Sequence, residues 1–97
     1  MKQPHVYILA SARNGTLYVG VTSYLVQRIW QHKNHVMDSF SQRYGVDQLV
    51  WFETHSSMEA AILREKQIKS GSRKRKLDLI ETMNPDWRDL YEDILGG

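Results

Sequence analysis

Near the amino end two apolar runs alternate with the period of two that marks strands. Val6, Ile8 and Ala10 fall on one face with Tyr7 and Leu9 on the other, and Leu17, Val19 and Val21 then oppose Tyr18 and Gly20. Asn14-Gly15 stands between the runs, and both residues tolerate positive φ, so the pattern predicts an antiparallel hairpin. If the aliphatic sets share the core face, the hydroxyls of Tyr7 and Tyr18 point the same way. A third strand is predicted from Gln48 to Thr54, carrying Leu49, Val50, Trp51 and Phe52.

The helical pattern is equally legible. From Tyr24 to His35 the residues step by about 100° each, which gathers Leu25, Val26, Ile29, Trp30 and Val36 on one broad face, leaves Arg28, His32 and His35 along its edge, and makes Thr22-Ser23 the N-cap. Ser56 and Glu59 have capping-box spacing and open a helix that runs to about Lys69 before Gly71 stops it. Another helix is expected after Ser72, carrying Leu77, Leu79, Ile80 and Met83 and ending at Asn84, because Pro85 disfavours helical geometry in the residue before it. Asp86 to Leu95 predicts a short terminal helix packed by Trp87, Leu90 and Ile94. Residues Asn34 to Gly45 are aperiodic and polar, a loop or irregular helix anchored by Met37 and Phe40. There is no repeat, linker or low-complexity segment, so residues 1–97 are expected to form one domain.

Composition narrows the chemistry. At 97 residues the chain can bury a single core without staples, and the lack of cysteine removes disulfides, thiolate metal sites and thiol nucleophiles, which suits a reducing cytoplasm. The Val6–Ala10 run is too short for a signal-peptide core or a membrane span. Histidine, carboxylate and hydroxyl chemistry remain. Net charge is only +2 but unevenly placed. From Arg64 to Lys76 seven basic residues face Glu65 alone, and from Leu77 onward six acids face Arg88 alone. A basic stripe is the usual footprint of phosphate contact, and Lys69, Arg73, Lys74, Arg75 and Lys76 are its candidate nucleic-acid-binding residues. The alternative is a solvated face whose lysines pair with the acidic tail.

Arg28 and His32 stand one turn apart at a helix edge, where a side chain can both pack and address a cleft. Arginine suits phosphate because its rigid fork binds two oxygens, and histidine can shift a proton near neutrality. His32 with His35 also has i, i+3 metal spacing, but no cysteine or third ligand stands nearby to complete a zinc site. Glu65 falls near the middle of the apolar arc formed by Met58, Ala61, Ile62 and Ile68. An inward carboxylate needs a cation, so it is read either as one partner of a structural ion pair, with Arg28 or the neighbours of Arg64, or as the ligand of a hard divalent ion such as Mg²⁺. Asn84 at its helix end is read as a cap or as part of a site.

Taken in order, Tyr7, Tyr18 with Gly20, Arg28, His32, Glu65 and Asn84 resemble the GIY-YIG nuclease superfamily, from roughly Val6 to Asn84. The naming motifs are degenerate, Val6-Tyr7-Ile8 and Tyr18-Val19-Gly20, and a lysine that several relatives carry just after the second motif is replaced here by Val21-Thr22. The chain is similar to the small stand-alone bacterial members without an added DNA-recognition domain. The resemblance implies a small α/β sandwich, with a three-stranded antiparallel sheet flanked by helices. It also implies an endonuclease that hydrolyses nucleic-acid phosphodiesters, DNA in preference to RNA, in DNA repair or processing. One Mg²⁺ or Mn²⁺ would sit on Glu65, Arg28 would brace the phosphate, one tyrosine would activate water, and Asn84 would support the site. The protein is expected to act as a monomer, away from membranes. The rival expectation is a nucleic-acid-binding module that keeps the fold and cuts poorly or not at all.

Overall fold

The computed structural model describes residues 2–34, 36 and 44–96. His35, Met37 and Phe40, and with them the expectations for the segment that follows the first helix, lie outside the described residues. Strands β1 (His5–Ala10), β2 (Leu17–Thr22) and β3 (Gln48–Thr54) form an antiparallel sheet in the order β2-β1-β3. Helices α1 (Leu25–Lys33), α2 (Met58–Ser70), α3 (Arg73–Met83) and α4 (Tyr91–Gly96) flank it. None is long and apolar enough to cross a membrane.

The sheet is covered on both faces, so it has two cores rather than one core face. Val6, Ile8, Ala10 and Val19 pack with Ala61 and Ile68 of α2 and Ile80 of α3. Tyr7 and Leu9, pointing the other way, pack with Leu25 and Ile29 of α1 and with Leu90, Tyr91 and Ile94 at the carboxyl end. A register shift between Ile8 and Leu9 in the β1–β3 pairing lets adjacent Val50 and Trp51 both join the first core, while Leu49 and Phe52 join the second.

Local chemistry explains where the elements differ from expectation. The hairpin is not a two-residue Asn-Gly turn: Gly15 N–H donates to Ala12 O at 2.9 Å, Ser11 N–H to Thr16 O at 3.0 Å, and Asn14 alone takes positive φ. Gly15 is needed for closeness instead, since a Cβ there would lie 2.3 Å from Ser11 Oγ. Tyr24, not Thr22 or Ser23, occupies the N-cap position of α1, and Thr22 Oγ1 accepts from the Tyr24 N–H at 3.0 Å. Ser57 rather than Ser56 caps α2, accepting from Ala60 N–H, so Glu59 falls one position short of a capping box. Ser72 caps α3 and Asn84 ends it, as the sequence pattern predicts.

The terminal helix is shorter than the expected Asp86–Leu95. Trp87 adopts φ of 56° and buries its ring, while Asn84 Oδ1 accepts from Arg88 N–H at 3.0 Å and Asn84 Nδ2 donates to Arg88 O at 2.8 Å. Leu90 N–H then donates to Leu49 O at 2.7 Å, so the chain runs alongside the start of β3 before it coils into α4. Lys33 pairs with Asp89, whose carboxylate also accepts from Leu49 and Tyr91 N–H groups, and this ties α1 to the carboxyl end.

Candidate functional site

The second core contains a polar cluster. Tyr7 is 1% exposed and His32 is 2% exposed, and the Tyr7 hydroxyl and His32 Nε2 share a buried hydrogen bond of 3.1 Å. The pairing follows from register. Tyr7 lies opposite Gly20 on β2, and a Cβ at that glycine would come within 2.4 Å of the Tyr7 hydroxyl. Only glycine lets the phenol lie across the edge strand towards α1. Tyr18, two residues before Gly20, sits half-buried on the same face, its ring centroid 6.3 Å from Tyr7 and 5.5 Å from His32. The two hydroxyl-bearing rings therefore do share a face, as the alternation predicts.

Electrostatics give the cluster its character. Burial pushes the Tyr7 phenol well above the ordinary tyrosine range; the Tyr18 phenol adds to the push, Arg28 opposes it, and the Glu65 carboxylate reinforces it. The Tyr7 phenol therefore stays protonated. Burial, and then the charge of Arg28, lower His32 to about 4, so its imidazole is neutral at neutral pH. A guanidinium, a neutral imidazole and a protonated phenol thus converge around one point. Arg28 opens onto a cleft of about 230 Å³ lined also by Thr22, Tyr24, Gln27 and Gln31. Sequence reasoning did not single out Tyr24 or Gln31, although their spacing from Arg28, four residues back and three ahead, is the signal that places them on its stripe of α1.

Glu65 comes from α2, on the other side of the sheet, yet its charge reaches Tyr7 because α2 packs on the β2 edge over which Tyr7 leans. Its side chain is 14% exposed and pairs with Lys69, one helical turn on, at 2.8 Å. Glu65 is turned inward, and its ion-pair partner is Lys69, from the basic run that begins at Arg64, rather than Arg28. Ile62, expected beside it on the apolar arc, is 36% exposed, so the arc is narrower than the wheel suggests.

As a metal site, Glu65 offers a single hard oxygen donor, and the described residues contain no group of three or more His, Cys, Asp or Glu side chains. That donor set does not suit zinc. It does suit Mg²⁺ or Mn²⁺, which bind through one or two carboxylates plus waters and substrate phosphate.

Two expected groups lie apart from this point. The Asn84 amide is buried and fully engaged, donating to Val50 O and Arg88 O and accepting from Arg88 N–H, on the α3 side of the sheet. The basic stretch is also divided among tasks. Arg73 donates to Asn14 O and Gly15 O and so clamps the hairpin, Lys76 donates to Gly71 O, Lys74 pairs with Asp78, and Lys69 holds Glu65. Arg75 is exposed. The expected pairing of the stripe with the acidic tail is met at Lys74–Asp78, while further along the tail Asp93 pairs with Arg88 and Asp89 with Lys33.

Known proteins are similar to this chain in sequence and fold. The family model of the GIY-YIG catalytic domain matches residues 3–78, which include five of the six ordered positions, all but Asn84. A UPF0213 protein of Clostridium perfringens is 36% identical over 90 residues, covering 93% of this chain and 96% of that one. A UPF0213 protein of Staphylococcus saprophyticus is 32% identical over 80 residues, covering 82% and 96%. The solution NMR structure of the UPF0213 protein of Bacillus halodurans superposes with a TM-score of 0.56 at 26% identity, over 90% of this chain and 92% of that one. With the family model matching residues 3–78, the chain belongs to the GIY-YIG catalytic-domain family.

Proposed function

We propose that the protein is an endonuclease that hydrolyses nucleic-acid phosphodiester bonds, DNA in preference to RNA, with the help of one Mg²⁺ or Mn²⁺ ion. The observation that carries this reading is the buried Tyr7–His32 hydrogen bond beside Arg28. Two polar side chains buried together beside a guanidinium at the core's edge are not what stability alone requires, since aliphatics would fill the same space.

Arg28 braces the scissile phosphate from the cleft and counters the charge that grows on its oxygens. Glu65 would hold the metal, exchanging Lys69 for the ion. A bound divalent cation supplies Lewis-acid stabilisation of the phosphate oxygens. Water is the nucleophile, with no covalent enzyme intermediate. Since the Tyr7 phenol resists ionisation, it is no free phenolate base. It works as a relay: its oxygen takes the proton leaving the water while its own proton passes to the neutral His32 Nε2. The phosphate charge beside Arg28 offsets the smaller of the two influences that lower His32, and so raises its basicity when substrate is in place while burial still opposes it. Tyr18 walls the pair and positions the water. Asn84 acts as a positioning residue that fixes the segment leading to α4. Lys69, Arg73, Lys74, Arg75 and Lys76 lend the flanking positive field.

The test is incubation of the purified protein with labelled single- and double-stranded DNA and RNA, with and without Mg²⁺ or Mn²⁺. Metal-dependent internal cleavage of at least one substrate supports the reading. Binding without cleavage in every metal supports a nucleic-acid-binding module instead. Replacing Lys74, Arg75 and Lys76 together by Ala is expected to weaken binding across all sequences and flatten its salt dependence, because fewer counterions are released. An unchanged salt slope moves the interface elsewhere.

A further inference from the structure

We propose that the groove between α1 and α4 is a nucleobase subsite, in which an unpaired base of the bound strand stacks on Trp30 and Tyr24 while its neighbouring phosphate lies at Arg28. This rests on the nuclease reading above and adds to it the form of the substrate. The helical wheel assigns Val26 and Trp30 to the buried face of α1, yet they are 39% and 48% exposed, and Tyr24 is 51% exposed. The other two tryptophans, Trp51 and Trp87, are buried at 5% and 4%. Trp30 is thus the tryptophan that offers its face to solvent. It does so in a groove of about 700 Å³ whose walls include Phe52, Tyr91 and Ile94.

The occupant follows from what adjoins the groove. Tyr24 and Gln27 line both this groove and the Arg28 cleft, so the two form one continuous surface, with a guanidinium at one end and aromatic rings at the other. A nucleotide has the matching division, an anionic phosphate joined to a flat π-faced base with a polar edge. The Gln27 amide can both donate to and accept from such an edge. Among the described residues that line the groove there is no lysine or arginine to hold a phosphate, so the base, rather than the backbone, enters. A base paired and stacked in a duplex cannot reach these rings, whereas an unpaired one can, and stacking on aromatic side chains tolerates any base.

The experiment measures binding by fluorescence anisotropy in EDTA, where hydrolysis stops, with labelled oligothymidine, the same strand built with abasic sugars, and a duplex. The wild type is expected to prefer the base-bearing single strand, and Trp30→Ala to weaken that binding by on the order of tenfold or more. Trp30→Phe should keep most of the affinity but lose the quenching of intrinsic fluorescence that the strand causes. On the abasic strand, Trp30→Ala and wild type should bind alike, a result that a merely structural tryptophan would not give. The proposal is overturned if Trp30→Ala binds oligothymidine as tightly as wild type, or loses affinity equally for both strands. If that happens while the wild type still cuts, the subsite falls and the nuclease reading stands. Trp30-dependent binding by a protein that cuts no substrate in any metal leaves the subsite and removes the nuclease reading. A wild type that binds none of the strands overturns the subsite, and if it also cuts no substrate in any metal the nuclease reading falls with it.

Discussion

The two faces of strand β1 carry different burdens. On one, Val6, Ile8 and Ala10 are fully buried among Ala61, Ile68 and Ile80, aliphatics from α2 and α3 that form an apolar layer. On the other, Tyr7 and Leu9 share the layer beneath α1 with a buried histidine, and Arg28 stands at its edge. Among the described residues no buried side-chain polar atom in either layer lacks a partner. On the proposed reading the contrast separates what holds the fold from what the fold is for, with stability on the dry face and chemistry on the polar one.

The largest expected effect lies outside both layers, at the carboxylate that reaches the polar face from α2. Glu65→Gln is nearly isosteric and keeps a hydrogen-bonding head towards Lys69, so the fold should persist. Metal-dependent cleavage should fall on the order of 10³-fold or more. Wild-type rates in the variant would remove Glu65 as the metal ligand.

On the dry face the reverse is expected. Ile8→Ala should destabilise the protein by about 2–5 kcal/mol in denaturant unfolding, through lost burial and the cavity left behind, while cleavage below the unfolding transition continues at nearly the wild-type rate. If the rate instead collapsed in the still-folded variant, the division between the faces would be false.

A third effect distinguishes the faces by pH. The native state holds His32 near 4, below its ordinary value of 6.5, so between those two values the unfolded chain binds more protons than the folded one. Stability from this group is full above about 6.5 and is lost as pH falls towards 4, by on the order of 3 kcal/mol. His32→Gln should flatten this part of the stability–pH curve. An equally steep curve in the variant would assign the acid sensitivity to other groups.

Much of this was legible in the sequence because it is local. β3 and α3, together with Ser72 and Asn84 at the ends of α3, follow from periodicity, capping and Pro85. Arg28 and His32 are one turn apart by arithmetic, whereas the pairing of Gly20 with Tyr7 depends on a turn other than the expected two-residue Asn-Gly one. What was not legible depends on distant partners. A wheel cannot know that α4 leaves Trp30 uncovered, that Trp87 turns the chain back so that Asn84 engages Arg88, or that Arg73 is drawn off to the hairpin. The ionisation of Tyr7 is likewise set by burial between layers, which no local pattern shows.

The claim that the polar face performs the chemistry is tested most directly by single-turnover cleavage measured beside denaturant stability for Tyr7→Phe and Tyr18→Phe. Each change keeps the ring and removes only the hydroxyl. The account predicts that Tyr7→Phe folds normally and loses on the order of 10²-fold or more in rate, the scale of a positioned proton-transfer group. Full activity in both variants, on a substrate that the wild type cuts, would contradict it and leave the family fold without the family chemistry.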